Sequence, residues 1–269
     1  MPDLQDPLVV ITDLDGSLLD HHTYSWQPAA LWLDKLIAAQ VPVILCSSKT
    51  TAEIVPLQAS MGLQGLPFIA ENGALVQLTS PLFTDASPIK IRGYDYDTIR
   101  TIIQRLRDVK GFRFLGFGDV DEKVIGEWTG LAPQQAMLAQ QREASEAFIW
   151  RDSDVRLAEF TSLLATEGLS VTQGGRFYHV MSANSSKGAA VRQLLQHFHQ
   201  QDGRSWRSLG LGDGPNDISM LNEVDYAVII KGYSNSPMAL DPRQQQIYRT
   251  TAYGPEGWSE GMDHFITPT

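Results

Sequence analysis

The 269-residue chain is predicted to fold as α/β, a parallel-sheet core split in sequence by an α+β insertion. Two observations carry this. Short apolar runs alternate with helical patterns at the start of the chain, and the same alternation returns near its end, which implies parallel strands joined by crossover helices. The middle reads differently, with an amphipathic helix and a hairpin signal.

The elements follow in order. Leu8–Thr12 is apolar without alternation, as expected for a strand buried on both faces. Pro28 to Gln40 places Leu31, Trp32, Ile37 and Ala38 at helical spacing behind a proline suited to a first turn. Val41 to Cys46 is a second strand, Thr50 to Gly62 a helix in which Pro56 suggests a kink or a late start, and Pro67 to Ala70 a third strand. Asp95 to Val109 is an amphipathic helix and Gly111 to Phe117 a strand. Gln134 to Glu146 and Asp154 to Glu167 read as helices. Leu169 to Ser182 reads as two strands joined at Gly174-Gly175. Lys187 to Gln201 is a helix, Trp206 to Gly212 a strand, Pro215 to Glu223 a helix and Tyr226 to Ile230 a strand. Thr251 to Thr269 closes the chain, with Trp258 and Phe265 expected to dock on the core.

Composition narrows the function. Basic residues number 21 against 31 acidic ones, a formal charge of −10, which argues against a protein that grips nucleic acid. A single cysteine, Cys46, cannot form an internal disulfide and lies in an apolar run, so it reads as a small core residue. No apolar run approaches a membrane span, and the start lacks the pattern of a signal peptide, so a soluble cytoplasmic protein is expected.

Four short segments carry potential chemistry. Asp13-Leu14-Asp15-Gly16-Ser17 follows the first strand, where ligand sites of open α/β sheets lie. Two carboxylates two residues apart there can divide nucleophile and acid roles, or hold a hard cation; an ordinary acidic turn explains them equally well. Gly212-Asp213-Gly214-Pro215-Asn216-Asp217 follows a later strand, and capping explains one of its acids but not the whole set. Ser47-Ser48-Lys49-Thr50 offers hydroxyls at a helix start, a phosphate cradle or merely a cap. Lys187 opens a helix against its dipole, a mild misplacement that hints at an anionic partner. Together these supply carboxylates, a hydroxyl and an ammonium at strand ends, a set suited to phosphoryl transfer. The loops of nucleoside triphosphate and dinucleotide sites and the G-x-S-x-G elbow are missing. The His21-His22 pair reads as a loop facing the site.

These segments, in order, resemble the motifs of the haloacid dehalogenase-like phosphatase superfamily. Glu71-Asn72-Gly73-Ala74 and the position of the insertion resemble its Cof-type branch. Leu18 to Tyr24, Ser47 to Thr50, Thr129-Gly130-Leu131, Gln141-Arg142-Glu143, Ser145-Glu146 and Gly174 to His179 are similar to mannosyl-3-phosphoglycerate phosphatases. The resemblance implies a Rossmann-like parallel-sheet core, residues 1–84 and 185–269, and an inserted α+β cap domain, residues 85–184. It implies that Asp13 attacks phosphorus, that Asp15 is the acid and base, and that Ser47 and Lys187 hold phosphoryl oxygens. It further implies Mg²⁺ on the Asp13 carboxylate, the Asp15 carbonyl and Asp213. Asp217, with Asn216 as a further supporting residue, then orients Lys187 or metal-bound water. In the cap, Arg176 is the first candidate for a substrate carboxylate, followed by Arg142, while His179 or Glu146 would meet sugar hydroxyls. The implied activity is Mg²⁺-dependent hydrolysis of mannosyl-3-phosphoglycerate to mannosylglycerate and phosphate. The alternatives are a broad sugar-phosphate phosphatase, a phosphomutase, or a non-catalytic sugar-phosphate-binding protein. The expected partner is a small phosphorylated sugar or glycerate, with neither nucleic acid nor membrane.

Overall fold

The computed structural model describes residues 1–83, 90–174, 176–233, 237–244 and 246–267. In chain order the elements are β1 (Leu8–Thr12), α1 (Ala30–Ala38), β2 (Val43–Cys46), α2 (Thr51–Ser60), β3 (Phe68–Ala70), β4 (Leu75–Gln77) and β5 (Lys90–Ile91). Next come α3 (Tyr96–Lys110), β6 (Phe114–Gly116), α4 (Glu122–Thr129), α5 (Pro133–Gln140), β7 (Ser145–Trp150), α6 (Asp154–Thr166), β8 (Leu169–Gly174) and β9 (Phe177–Ser182). The chain finishes with α7 (Lys187–Asp202), β10 (Arg207–Gly212), α8 (Ile218–Leu221), β11 (Tyr226–Lys231), β12 (Ile247–Tyr253) and α9 (Gly254–Phe265).

Two sheets form. The larger has the order β12-β11-β10-β1-β2-β3-β4-β5. Its strands run parallel from β12 to β3, and β4 and β5 finish one edge in antiparallel pairs. The smaller sheet, β6-β7-β9-β8, is antiparallel. This is the α/β class expected, a mainly parallel core with a separate antiparallel cap sheet.

The continuous apolarity of β1 has its reason in packing. Leu8 and Val10 face a core shared with Trp258 and Phe265 of α9, whereas Val9 and Ile11 face a second core with Val191 and Leu194 of α7. Both faces of the strand are covered, so neither can be polar. In the cap, Ile99 and Ile103 of α3 and Phe160 and Leu164 of α6 cover one face of the small sheet against Phe114, Phe148 and Val180.

β1 stands where the strand order reverses. The chain steps from it to β2 and β3 on one side, and β10 to β12 lie on the other. Thr12 is in register with both Leu211 and Leu45, so the residues just beyond β1, β2 and β10 reach the same edge. That edge is the crevice where open α/β sheets bind ligands.

The structure corrects several elements. The helix expected over 134–146 ends at Gln140, and Ser145–Trp150 is instead β7, a central strand of the cap. Residues 134–146 are rich in helix formers, but pairing with β6 and β9 and burial of Ala147 and Phe148 override that preference. β6 is shorter than expected because Gly111 is the left-handed cap of α3, with φ 68°. α4, β4, β5 and β12 escape a pattern reading because they are short or lack clear periodicity. α2 starts at Thr51, directly after its capping-box residue Thr50, and runs on through Pro56. β8 and β9 pair as the expected hairpin, although Gly175 of its turn lies outside the described residues. β5 pairs with β4, so the large sheet draws a strand from the stretch beyond residue 84. Among the described residues, no helix is long and apolar enough to cross a membrane.

The turn Glu71-Asn72-Gly73 joins the two parts. Glu71 and Asn72 have φ of 50° and 57°, a region that side chains other than glycine rarely occupy. The strain is offset because the buried Glu71 carboxylate accepts from the Glu143 and Ala144 N–H groups at 2.7 and 3.1 Å and from Ser145 Oγ at 2.6 Å. Gly73, at φ 90°, lies so close to α7 that a Cβ would stand 2.1 Å from the Ser186 carbonyl oxygen. Gly73→Ala is therefore expected to destabilise the protein by about 2 kcal/mol or more. A chemical-denaturation midpoint equal to wild type would contradict this close fit.

Candidate active site

The sheet edge gathers charges from distant parts of the chain. Asp13 follows β1, and its N–H donates to the Leu211 carbonyl of β10 at 2.9 Å. Thr12 Oγ1 donates to the Asp13 carbonyl at 2.7 Å and itself accepts from Trp258 Nε1 at 2.9 Å. Gly16 turns the chain with φ 87°, and a Cβ there would meet Asp213 Oδ2 at 2.5 Å, so only glycine lets this loop approach Asp213. Ser17 Oγ donates to Asp213 Oδ1 at 3.2 Å.

Lys187 is the centre of the cluster. Its ammonium, fully buried, lies 2.5 Å from Asp13 Oδ1 and 2.6 Å from Asp217 Oδ1. The misplaced cation of α7 thus has its anions within the protein. Asp217 Oδ2 accepts from the N–H groups of Asp213 and Gly214 at 3.1 and 3.0 Å, so both oxygens of Asp217 are engaged in holding Lys187 and the β10 loop. Asp13, Asp213 and Asp217 offer oxygens that all lie within 4.8 Å of one another.

The electrostatics are unbalanced. Three carboxylates surround one ammonium, an excess of two negative charges if all ionise. Burial and then the Asp217 carboxylate push the Asp13 pKa up to about 7, although Lys187 pulls it down. Burial and the neighbouring Asp13 likewise raise Asp213 well above the usual range. Burial alone would lower Lys187, but Asp13 and Asp217 outweigh it and keep the ammonium charged. Such crowded, buried oxygens fit a hard divalent cation, which would remove the excess charge.

A cavity of about 450 Å³ lies between the two sheets' domains. Its core side includes Asp13, Asp15, Lys49, Glu53, Asp213 and Asn216. Its cap side includes Phe117, Arg142, Gln173, Arg176, Phe177 and His179. The floor is acidic, whereas the ionisable groups of the roof are basic. A more open hollow of about 520 Å³ beside α9 has Glu256, Glu260, Asp263 and His264 in its wall. Glu260 there already binds the N–H groups of Thr251 and Ala252.

The other expected residues fall as follows. Ser47 is buried just beyond β2, outside the cavity wall, and its Oγ accepts from the Lys49 N–H at 3.2 Å. Asn216 Nδ2 donates to Asn72 Oδ1 at 3.1 Å. Arg176 is exposed at the roof and donates to the Thr129 carbonyl at 3.3 Å. Arg142 is buried; its Nε and Nη2 donate to Ser145, and Nη2 also to the Ser48 carbonyl at 3.0 Å, so much of it stitches cap to core. His179 is held neutral by burial and by the nearby Arg142 and Lys187 charges, and its Nδ1 has no hydrogen-bond partner among the described residues. Glu146 is sealed inside the cap against the Gly118 N–H and Arg100, away from the cavity. His21 does line the cavity, beside Tyr233, with ring centroids 4.9 Å apart. Cys46 is fully buried, and burial pushes its thiol up, which suits a core residue and not a nucleophile.

Lys49 and Tyr24 lie in segments singled out in the sequence, but neither is given a role there, and Glu53 lies outside them. Lys49 Nζ lies 3.0 Å from Asp15 Oδ2 and 3.7 Å from Glu53 Oε1, and 5.2 Å from the Tyr24 ring centroid. The capping box of α2, Thr50-x-x-Glu53, is the signal that could have brought Glu53 into this corner.

Comparison with known proteins agrees with this architecture. The family model of the haloacid dehalogenase-like hydrolases matches residues 10–147 and 151–236. Among solved structures, the chain is similar to protein 0175 of Thermoplasma acidophilum, with a TM-score of 0.69, 17% identity, and coverage of 97% of this chain and 98% of that one. It is also similar to BT1666 of Bacteroides thetaiotaomicron, from a study of phosphatases of the haloalkanoate superfamily, with a TM-score of 0.66, 18% identity and coverage of 97% and 96%. A third is the sucrose-phosphatase of Synechocystis sp. PCC6803, solved with sucrose and phosphate, with a TM-score of 0.63, 17% identity and coverage of 97% and 98%. With its acidic strand ends, buried lysine and capped parallel sheet, the chain belongs to the haloacid dehalogenase-like hydrolase family.

Proposed function

We propose that the protein is a Mg²⁺-dependent phosphatase of small phosphorylated sugars, with mannosyl-3-phosphoglycerate as its substrate. The observation that carries the reading is the polarised cavity, with a crowded carboxylate floor under a roof bearing Arg142 and Arg176. With Mg²⁺ offsetting the charge of the floor, a phosphate ester with a second anion at its far end would suit both surfaces. The sucrose-phosphatase among the fold relatives supports a sugar phosphate as the substrate class.

The chemistry proposed follows from the residues. Asp13 has one oxygen held by Lys187, and the other carries no hydrogen bond among the described residues. That free oxygen attacks phosphorus; a P–O bond to Asp13 forms as the ester P–O bond breaks. Asp15 gives its proton to the departing oxygen, then takes one from the water that attacks the aspartyl phosphate and releases Asp13. Lys187 neutralises charge on the phosphoryl oxygens, and the Ser47 hydroxyl, whose lone pair accepts from Lys49, still has its hydrogen to donate. Asp13, Asp213 and the Asp15 carbonyl would hold Mg²⁺, which supplies charge neutralisation at the phosphoryl group. Arg176, with a single hydrogen bond among the described residues, is the freer roof cation for a glycerate carboxylate.

Phosphate release from a panel tests the substrate: mannosyl-3-phosphoglycerate, its glucosyl analogue, hexose phosphates, 3-phosphoglycerate and 4-nitrophenyl phosphate. We expect kcat/KM for the first to exceed the others by at least about tenfold. Arg176→Ala should lose more on esters bearing a carboxylate than on the others. Comparable low rates on the whole panel would instead favour a broad sugar-phosphate phosphatase.

The carboxylate crowding gives a second expectation. The Asp13 pKa is raised from 3.8 to about 7, so between those values the native state binds more protons than the unfolded chain. Stability of the metal-free protein should therefore fall as pH rises through that window. Added Mg²⁺ should flatten the fall. Melting curves from pH 4 to pH 8, with EDTA or with Mg²⁺, check this; a metal-free protein that gains stability across the window would contradict it.

A further inference from the structure

We infer that Lys49 is a positioning residue that sets the orientation of the Asp15 carboxyl, an inference that rests on the acid–base role proposed for Asp15. The geometry is specific. Asp15 Oδ1 has no hydrogen-bond partner among the described residues, and Oδ2 lies 3.0 Å from Lys49 Nζ. Among the described residues, Lys49 is thus the one polar contact that fixes how this carboxyl is turned. A charge-assisted hydrogen bond is the strong, directional kind suited to that task.

Lys49 is itself held on every side. Glu53 Oε1 lies 3.7 Å away, while Glu53 Oε2 is tied to the Thr50 N–H at 2.9 Å by the capping box, so this acceptor cannot drift. The Lys49 N–H donates to Ser47 Oγ at 3.2 Å, and its carbonyl accepts from the Glu71 N–H at 2.9 Å. The cap grips the residues on either side: Arg142 Nη2 donates to the Ser48 carbonyl at 3.0 Å, and Thr50 Oγ1 donates to the Leu138 carbonyl at 2.8 Å. Tyr24, whose ring Lys49 faces, donates to the Thr129 carbonyl of the cap at 3.3 Å. Seating of the cap and placement of Lys49 are therefore one arrangement. Asp15 is turned for proton transfer where the cap has closed over a substrate.

The step that Lys49 serves is expulsion of the leaving group. The phosphorus passes from the ester oxygen to Asp13, and the ester oxygen takes its proton from Asp15. An alkyl oxygen leaves poorly and needs that proton, whereas a 4-nitrophenolate leaves without it. The test compares kcat/KM, which reports the steps through loss of the leaving group, on the fastest alkyl ester of the panel and on 4-nitrophenyl phosphate. We expect Lys49→Met to lose about 100-fold on the alkyl ester but less than about tenfold on the aryl ester. Lys49→Arg, which keeps the charge, should recover most of the loss. Equal losses on both esters, or none on the alkyl ester, would overturn the inference. Asp15→Asn is the control and should show the same asymmetry; if it does not, the acid role of Asp15 fails, not merely the placement by Lys49. Should Lys49→Met not fold, Glu53→Gln keeps the capping bond and loosens Lys49. It should give a smaller loss of the same asymmetry, and a symmetric loss in this folded variant would equally overturn the inference.

Discussion

One ammonium held between two buried carboxylates, Asp13 and Asp217, with the half-buried Asp213 beside them, is the constraint on which the rest of this molecule depends. Lys187 reaches Asp13 and Asp217 only because α7 starts at the edge where β1 and β10 end. Removing one partner from such a buried cluster leaves an uncompensated charge, which costs far more than an exposed ion pair contributes. The surrounding architecture serves this contact. Parallel register brings Asp13 beside Gly212, Gly16 lets its loop close on Asp213, and Asp217 binds both Lys187 and the β10 loop.

Burial, and after it the neighbouring carboxylates, raises Asp13 and Asp213 against their tendency to ionise. A protein optimised only for stability would have replaced one of these aspartates. On the proposed reading, keeping them is the cost of a site whose excess negative charge a divalent cation would offset. Stability and activity are set against each other at this edge of the sheet.

The cap is tied to the core by few but well-buried contacts. Glu71 spans the junction by accepting from residues 143–145, and Arg142 answers by donating to Ser48. Both belong to segments that also touch the edge carrying the candidate site, since the Glu71 N–H binds Lys49 and the Asn72 N–H binds Ser47. Movement of the cap therefore cannot leave the floor of the cavity unaffected.

Much of this was legible in the sequence where the signal is local. A buried strand followed by Asp13-x-Asp15-Gly16, or by Gly212-Asp213, announces a strand-end site within a few residues. Lys187 shows itself by opposing its own helix dipole. The rest depends on contacts across the chain. Arg142 reads as a substrate ligand until its bonds to Ser48 and Ser145 are seen, and Glu146 reads as a contact for sugar hydroxyls although β7 seals it inside the cap. Lys49 acquires meaning only from Asp15, which comes from a different strand end. The most direct test of the proposed chemistry is mass spectrometry of the Asp15→Asn variant, quenched in acid during turnover of 4-nitrophenyl phosphate with Mg²⁺. We expect one phosphoryl group on Asp13; a protein that turns over with no phosphoryl adduct, or with the adduct on Ser47, would contradict it.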